Sequence, residues 1–173
     1  MLFRSRDTVG SLILRGYFDA DWAGSVVDHK STSGCCFTLG SASISWMSRK
    51  QKLVALSTAE TEYIAASMAC CEAVWLRKLI SELFGHVLDT TVILCDYQSG
   101  IRLSENPVFH DRSKHIRYHF VRDMVQEGVV RLDHIGTDEQ VTNIITQPLG
   151  KVMFLTFREK LGIVERPYSK GPA

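Results

Sequence analysis

Three acidic residues occupy positions from which a sheet and a helix could bring them together. Asp19 follows the apolar run 12–18, and Asp96 follows a second apolar run, 91–95. Short apolar runs of this kind predict strands buried on both faces. In an open α/β sheet the carboxyl ends of such strands leave room for a ligand. If the two strands are neighbours, the two carboxylates therefore meet at one edge of the sheet.

A glutamate from a long predicted helix completes the set. The segment 57–84 begins with Ser57 and carries Glu60 three residues later, which is the capping-box pattern. Successive helical residues are rotated by about 100°, so Glu60 and Glu62 point to different faces. Because Glu60 has a local capping task, Glu62 is the candidate that faces the sheet edge.

Crowded carboxylates indicate a divalent cation. They repel one another and raise each other's pKa unless a cation compensates the charge. Oxygen ligands without soft donors favour Mg²⁺ or Mn²⁺. Two such ions about 3.5–4 Å apart would hold a phosphodiester for in-line attack. A single Asp at a strand end is more often a turn former or helix cap, so the prediction depends on convergence of all three side chains.

The remaining segments predict an α/β fold. Strands are expected at 12–18, 34–39, 42–46, 91–95 and 129–133, and helices at 57–84, 98–105, 113–127, 139–146 and 151–161. The first three strands follow one another through short links and predict a meander. The whole order predicts a mixed five-stranded sheet with helices on both faces.

Composition narrows the class of protein. The chain has 173 residues, 45% of them hydrophobic and 23% charged, which is typical of one globular domain. No apolar run has membrane-spanning length, and the amino terminus lacks a signal-peptide pattern. Five cysteines without CxxC spacing predict reduced core residues and a cytoplasmic or nuclear location.

The formal net charge of +1 gives no overall attraction to nucleic acid, so any such surface must be a local basic patch. Two patches qualify, although taken by itself each is better explained as an ordinary solvated loop. One comprises Arg49, Lys50 and Lys52, and the other Arg112, Lys114 and Arg117.

Several motifs in order carry a family resemblance. They read GYFDADWAG, STSGCCFTLGSASISWMSRKQ, ALSTAETEYIAAS, ILCDYQSGIRLSENPVFHDRSKHI and YHFVRD. Over residues 16–161 the chain resembles the ribonuclease H domain that ends the polyprotein of copia-type retrotransposons. The resemblance implies a ribonuclease H-like fold over 12–161. The polar segment 1–11 is interpreted as an upstream linker or truncated connection, and the segment 162–173, which contains Pro and Gly, as a tail. The resemblance also implies cleavage of the RNA strand of an RNA–DNA hybrid, a reverse transcriptase linked upstream, a monomeric domain and no membrane partner.

The resemblance assigns roles to individual residues. Asp19, Glu62 and Asp96 match the three carboxylates that hold two Mg²⁺ ions, for which Mn²⁺ can substitute. Gln98 and Ser99 lie in the turn that contacts substrate, and His134 matches a mobile histidine that assists proton transfer or product release. Arg49, Lys50 and Lys52 are expected to contact phosphates.

Two departures from the family pattern indicate a degenerate copy. Where copia-type sequences read ADILTKPL, with Asp as the fourth metal ligand, this chain reads TNIITQPL and carries Asn143. A neutral carbonyl oxygen replaces a carboxylate, so one ion is expected to bind more weakly. The segment KHIRYHF is also two residues shorter than the usual KHIDIRYHF.

Other interpretations stay open beside the nuclease. The same fold could bind hybrid without cleaving it, as an inactive remnant of a polyprotein. An integrase or a nuclease acting on duplex DNA is disfavoured by the motifs and by the lack of an amino-terminal zinc motif. His115 and His119 have chelating i,i+4 spacing and His110 lies nearby, but no third zinc ligand has suitable spacing. Trp22, Trp46 and Trp75 are predicted to lie in the core.

Overall fold

The computed structural model describes residues 13–98, 101 and 116–163 of the chain. Its centre is a five-stranded mixed sheet in the order β3-β2-β1-β4-β5, which confirms the predicted architecture. The first three strands form an antiparallel meander, whereas β4 is parallel to both β1 and β5. The strands are β1 (Leu14–Asp21), β2 (Thr32–Leu39), β3 (Ala42–Lys50), β4 (Thr91–Cys95) and β5 (Val130–His134).

The long helix begins and ends where its local sequence predicts. Ser57 caps α1 (Thr58–Phe84) by accepting a hydrogen bond from the Glu60 backbone N–H at 3.2 Å. The Glu60 carboxylate in turn accepts one from the Leu56 backbone N–H at 2.8 Å. Gly85 ends the helix in the left-handed conformation, with φ of 67°, where glycine has no Cβ to clash.

The other helices cover both faces of the sheet. They are α2 (Ile116–Gln126), α3 (Asn143–Thr146) and α4 (Lys151–Lys160), and a 3₁₀ turn precedes α3 at Thr137–Glu139. On the α1 and α2 side, the core contains Phe18, Phe37 and Ile93. On the opposite side, Cys36 packs with Phe157 of α4. None of the described helices is long and apolar enough to cross a bilayer.

One predicted helix is interrupted. The sequence predicts a single helix over 139–146, but the chain is extended at Gln140, with φ −72° and ψ 91°. The Gln140 side chain is fully buried and donates to the Phe18 carbonyl of β1 at 2.8 Å. This tertiary hydrogen bond separates the 3₁₀ turn from α3. The predicted helix 98–105 and the start of 113–127 lie largely outside the described residues.

The prediction that all three tryptophans lie in the core is wrong. Trp22, Trp46 and Trp75 are 48%, 69% and 55% exposed. Trp46 belongs to the edge strand β3, and Trp75 follows the buried Ala73 on α1 without sharing its sheet-facing side. The prediction that the cysteines are core residues is confirmed for four of the five, which are buried, whereas Cys71 is exposed.

Candidate active site

The sheet opens between its two central strands. The pairing of β1 with β4 ends at Tyr17 and Leu94. Asp19 lies two residues beyond this last pair, still paired with Gly34 of β2, and Asp96 directly follows β4. A cleft at the carboxyl ends of parallel strands is where open α/β sheets place their ligands. Both predicted aspartates therefore stand at this opening.

The three predicted carboxylates lie together at this opening. Asp19, Glu62 and Asp96 each offer an oxygen, and these oxygens lie within 4.8 Å of one another. Asp19 is buried, whereas Glu62 and Asp96 are partly buried. Glu62 reaches the cluster from the second turn of α1, so the helix start that Ser57 caps also positions this side chain. The convergence is observed; the roles of the three residues as metal ligands remain predictions.

Burial and mutual repulsion raise the pKa values of two carboxyl groups in this cluster. Burial, and then the charges of Asp19 and Asp96, raise the pKa of Glu62 to about 9. Burial also raises the pKa of Asp19, and the Asp96 charge adds to this effect while a hydrogen bond from Thr146 opposes it. The cation-free site therefore retains a proton on Glu62 at neutral pH.

The donor set fits a hard divalent cation. The Glu62 Oε2 atom is buried and has no hydrogen-bond partner among the described residues. The Asn143 Oδ1 atom is likewise buried and has no hydrogen-bond partner among the described residues. A buried oxygen left without a donor costs about 1–3 kcal/mol, more when it is charged. A cation coordinated by oxygen would satisfy these atoms and offset the repulsion between the carboxylates.

Glu62 should make the stability of the cation-free protein depend on pH. Between its ordinary value of 4.5 and about 9, the folded state keeps a proton that the unfolded state has lost. The free energy of unfolding therefore falls as pH rises through this window. We expect Glu62→Gln, which cannot ionise, to be more stable than the wild type by about 1–2 kcal/mol at pH 8 in EDTA.

Urea unfolding at pH 4 and pH 8 measures this effect. The difference between the two proteins should shrink at pH 4, where Glu62 is protonated in both states. Glu60→Gln, two residues earlier in α1 but engaged in capping, is the matched control and should show no gain at pH 8. A wild type whose stability is flat between these pH values would contradict the assignment.

Asn143 begins α3, the helix whose Thr146 contacts Asp19. It is buried, and its Nδ2 donates to the Thr137 carbonyl at 3.5 Å. The Thr137 hydroxyl donates to Asp96 Oδ2 at 3.2 Å. Thr137 thus links the Asn143 amide to Asp96 through two hydrogen bonds. Its role as fourth ligand remains a prediction.

Other predicted site residues lie at the same end of the sheet. His134 is exposed and ends β5, opposite Cys95, the residue before Asp96. Gln98 is exposed, whereas Ser99 lies outside the described residues, as do His110 and His115. The ring of His119, the third histidine of the zinc alternative, has its Nδ1 3.1 Å from Arg122 Nη2.

The basic patch of Arg49, Lys50 and Lys52 contains one residue held by an ion pair and two without such a contact to Asp28. Register places Lys50 opposite Thr32, which pairs with Asp21 of β1, so the patch lies at the site's end of the sheet. Lys50 is 2.8 Å from the Asp28 carboxylate, and this contact lowers the pKa of Asp28 to about 2. Arg49 and Lys52 are exposed. Lys50 thus ties the β1–β2 loop to β3, and its neighbours are the better candidates for phosphate contact.

Sequence reasoning missed three residues that contact the aspartates or their strand. Thr137 donates to Asp96, Gln140 to the Phe18 carbonyl, and the Thr146 hydroxyl to Asp19 Oδ2. A signal was present: in QVTNIIT the polar residues at 142, 143 and 146 recur at helical spacing. That spacing predicts a polar helix face but not the strand that it contacts.

Curated transposon polyproteins align with most of this chain. No family profile matches the chain. The retrovirus-related Pol polyprotein from transposon RE2 of Arabidopsis thaliana is 42% identical over 163 residues, which cover 93% of this chain and 11% of that polyprotein. The corresponding polyprotein from transposon TNT 1-94 of Nicotiana tabacum is 42% identical over 153 residues, covering 87% and 11%. The chain thus spans about a tenth of the length of these curated relatives.

Solved structures share the fold. LC11-RNase H1 in complex with an RNA/DNA hybrid aligns with a TM-score of 0.56 and 12% identity, over 77% of this chain and 93% of that one. The foamy viral protease-reverse transcriptase in complex with an RNA/DNA hybrid aligns with a TM-score of 0.52 and 13% identity, over 84% and 21%. The chain therefore has the ribonuclease H fold and is homologous to a segment of the retrovirus-related Pol polyproteins of transposons.

Proposed function

We propose that this chain is a ribonuclease H domain that cleaves the RNA strand of RNA–DNA hybrids with two Mg²⁺ ions, for which Mn²⁺ can substitute. The observation that carries the proposal is the convergence of the Asp19, Glu62 and Asp96 oxygens within 4.8 Å beside a buried, unpartnered Glu62 oxygen. These three side chains and Asn143 would hold the cations. When bound, the cations supply an activated water and stabilise charge on the phosphate oxygens.

The other residues would act on the nucleic acid. Arg49 and Lys52 are exposed cations at the site's end of the sheet and would contact phosphates. Gln98 and Ser99 follow Asp96 and would contact the RNA strand, where 2′-hydroxyls distinguish RNA from DNA. His134 would transfer a proton during cleavage or assist release of the product.

The relatives support a place within a longer polyprotein. We propose residues 12–161 as the nuclease domain, linked upstream to a reverse transcriptase as in a Pol polyprotein. Hybrid made during reverse transcription would then be its substrate. A monomeric isolated domain fits this arrangement.

Asn143 favours a second candidate function, an inactive domain that binds hybrid without cleaving it. Its buried Oδ1 lacks the charge that a carboxylate would present to a cation. Loss of that charge weakens the site in which the proposed chemistry takes place. Cleavage and binding must therefore be measured separately.

A divalent-ion titration with three labelled duplexes tests the proposal. We expect hybrid to be cut, with RNA products that carry 3′-hydroxyl and 5′-phosphate ends, while duplex DNA and duplex RNA remain intact. Mn²⁺ should support cleavage at lower concentration than Mg²⁺. Hybrid binding without product in either ion would favour the inactive domain, and cutting of duplex DNA would favour a different nuclease of this fold.

A further inference from the structure

We propose that Thr146 is a positioning residue that orients the Asp19 carboxylate for cation binding, an inference that rests on the proposed function. The Thr146 hydroxyl donates a hydrogen bond to Asp19 Oδ2 across 127 positions of sequence. Both residues are only 7% exposed, so water does not compete freely for this contact. A hydrogen bond to Oδ2 restricts rotation of the carboxylate and so fixes the direction in which its oxygens face a cation.

A glycine brings the hydroxyl within reach. Gly34 of β2 lies opposite Asp19 of β1, and a Cβ at position 34 would lie 2.6 Å from the Thr146 methyl carbon. Ser48 lies opposite Gly34 on β3 and donates to the Ile145 carbonyl at 2.7 Å. The helix α3 therefore rests on one row of residues across three strands, and Asp19 ends that row.

A second hydrogen bond from the same segment holds the residue before Asp19. Gln140 Nε2 donates to the Phe18 carbonyl at 2.8 Å, and Gln140 Oε1 accepts from the Thr142 hydroxyl at 2.7 Å. Gln140 and Thr142 are fully buried. The segment 140–146 thus fixes the backbone at Phe18 and the side chain at Asp19.

The Thr146 hydroxyl has one proton to donate, and two acceptors lie within its reach. Besides Asp19, it lies 3.3 Å from the Thr142 carbonyl one turn earlier in the chain. A hydrogen bond to an ionised carboxylate is roughly twice as strong as one between neutral groups, so Asp19 is the preferred acceptor when ionised. Loss of a partner that orients a metal ligand typically costs about 10–100-fold in metal affinity or activity.

Two substitutions separate the hydroxyl from the methyl group. Thr146→Val keeps the methyl that packs over Gly34 and loses the hydroxyl, whereas Thr146→Ser does the reverse. We expect Thr146→Val to weaken Mn²⁺ binding by about 10–100-fold, and Thr146→Ser to bind Mn²⁺ within about threefold of the wild type. Binding is measured on the full chain by electron paramagnetic resonance titration with Mn²⁺ alone. The Mg²⁺ concentration for half-maximal cleavage should shift in the same order.

The outcomes distinguish this inference from the proposed function. Equal Mn²⁺ affinity of the wild type and Thr146→Val would overturn the positioning role and leave the nuclease proposal intact. A wild type that binds no Mn²⁺ would overturn both. If Thr146→Val does not fold, Thr146→Ala and Thr146→Ser make the same comparison, since both lack the methyl and differ only in the hydroxyl.

Discussion

Asp19→Asn is expected to lower magnesium-dependent cleavage of an RNA–DNA hybrid by at least about 10³-fold while making the cation-free protein more stable. The loss of cleavage and the gain in stability have the same cause. Asp19 is a buried carboxylate beside Glu62 and Asp96, so its charge is unfavourable without a cation and necessary for binding one. Single-turnover cleavage in Mg²⁺ and urea unfolding in EDTA measure the two effects on the same preparation.

Asp21→Asn is the matched control for this prediction. Asp21 is also a β1 aspartate, two residues further along, but it lies outside the group of three converging carboxylates. We expect the control to cleave hybrid within about threefold of the wild type. If Asp19→Asn retained wild-type cleavage, Asp19 would not be a metal ligand and the proposed mechanism would be wrong.

Asn143→Asp is expected to increase cleavage at low Mg²⁺ by at least about tenfold. The added carboxylate would give the cations a charged ligand at the position where the family pattern has Asp. In EDTA the same change should lower stability, because a further carboxylate joins a cluster whose members already repel one another. The stabilisation by saturating Mg²⁺ should accordingly be larger than in the wild type.

Two variants test whether the Asn143→Asp effect is local. Gln147→Glu adds the same charge at an exposed position just after α3 and should leave cleavage unchanged. Asn143→Ala removes the carbonyl oxygen and should lower cleavage below the wild type. Thermal unfolding with and without Mg²⁺ accompanies each assay. If Asn143→Asp and Gln147→Glu behaved alike, position 143 would not face the cations.

Two of the three carboxylates could be predicted because they stand at locally encoded boundaries, whereas Asp19 lies within β1. Asp96 follows a strand of the predicted length, and Glu62 is placed by a helix start that Ser57 and Glu60 specify within four residues. The motifs shared with copia-type ribonuclease H domains then indicated that these residues belong to one site. Position 19 needed that indication most, because an Asp near a strand end is common in turns.

The contacts around the site could not be predicted in this way. Gln140 reaches the Phe18 carbonyl across 122 positions of sequence and interrupts a helix that local pattern predicts as continuous. The alternation in β3 correctly predicts a strand, yet Trp46 on that strand is exposed. Periodicity identifies which residues share a face but not whether another element covers that face.

The order of strands and helices, the capped start of α1 and the identity of the three acidic residues follow from the amino-acid sequence, since each depends on neighbours a few positions apart. The approach of α3 to β1, the hydrogen bond from Thr146 to Asp19 and the proton retained on Glu62 arise only in the folded chain. They require distant segments to exclude water from the same small volume, and that exclusion both raises the pKa of the carboxyls and strengthens the hydrogen bonds that orient them.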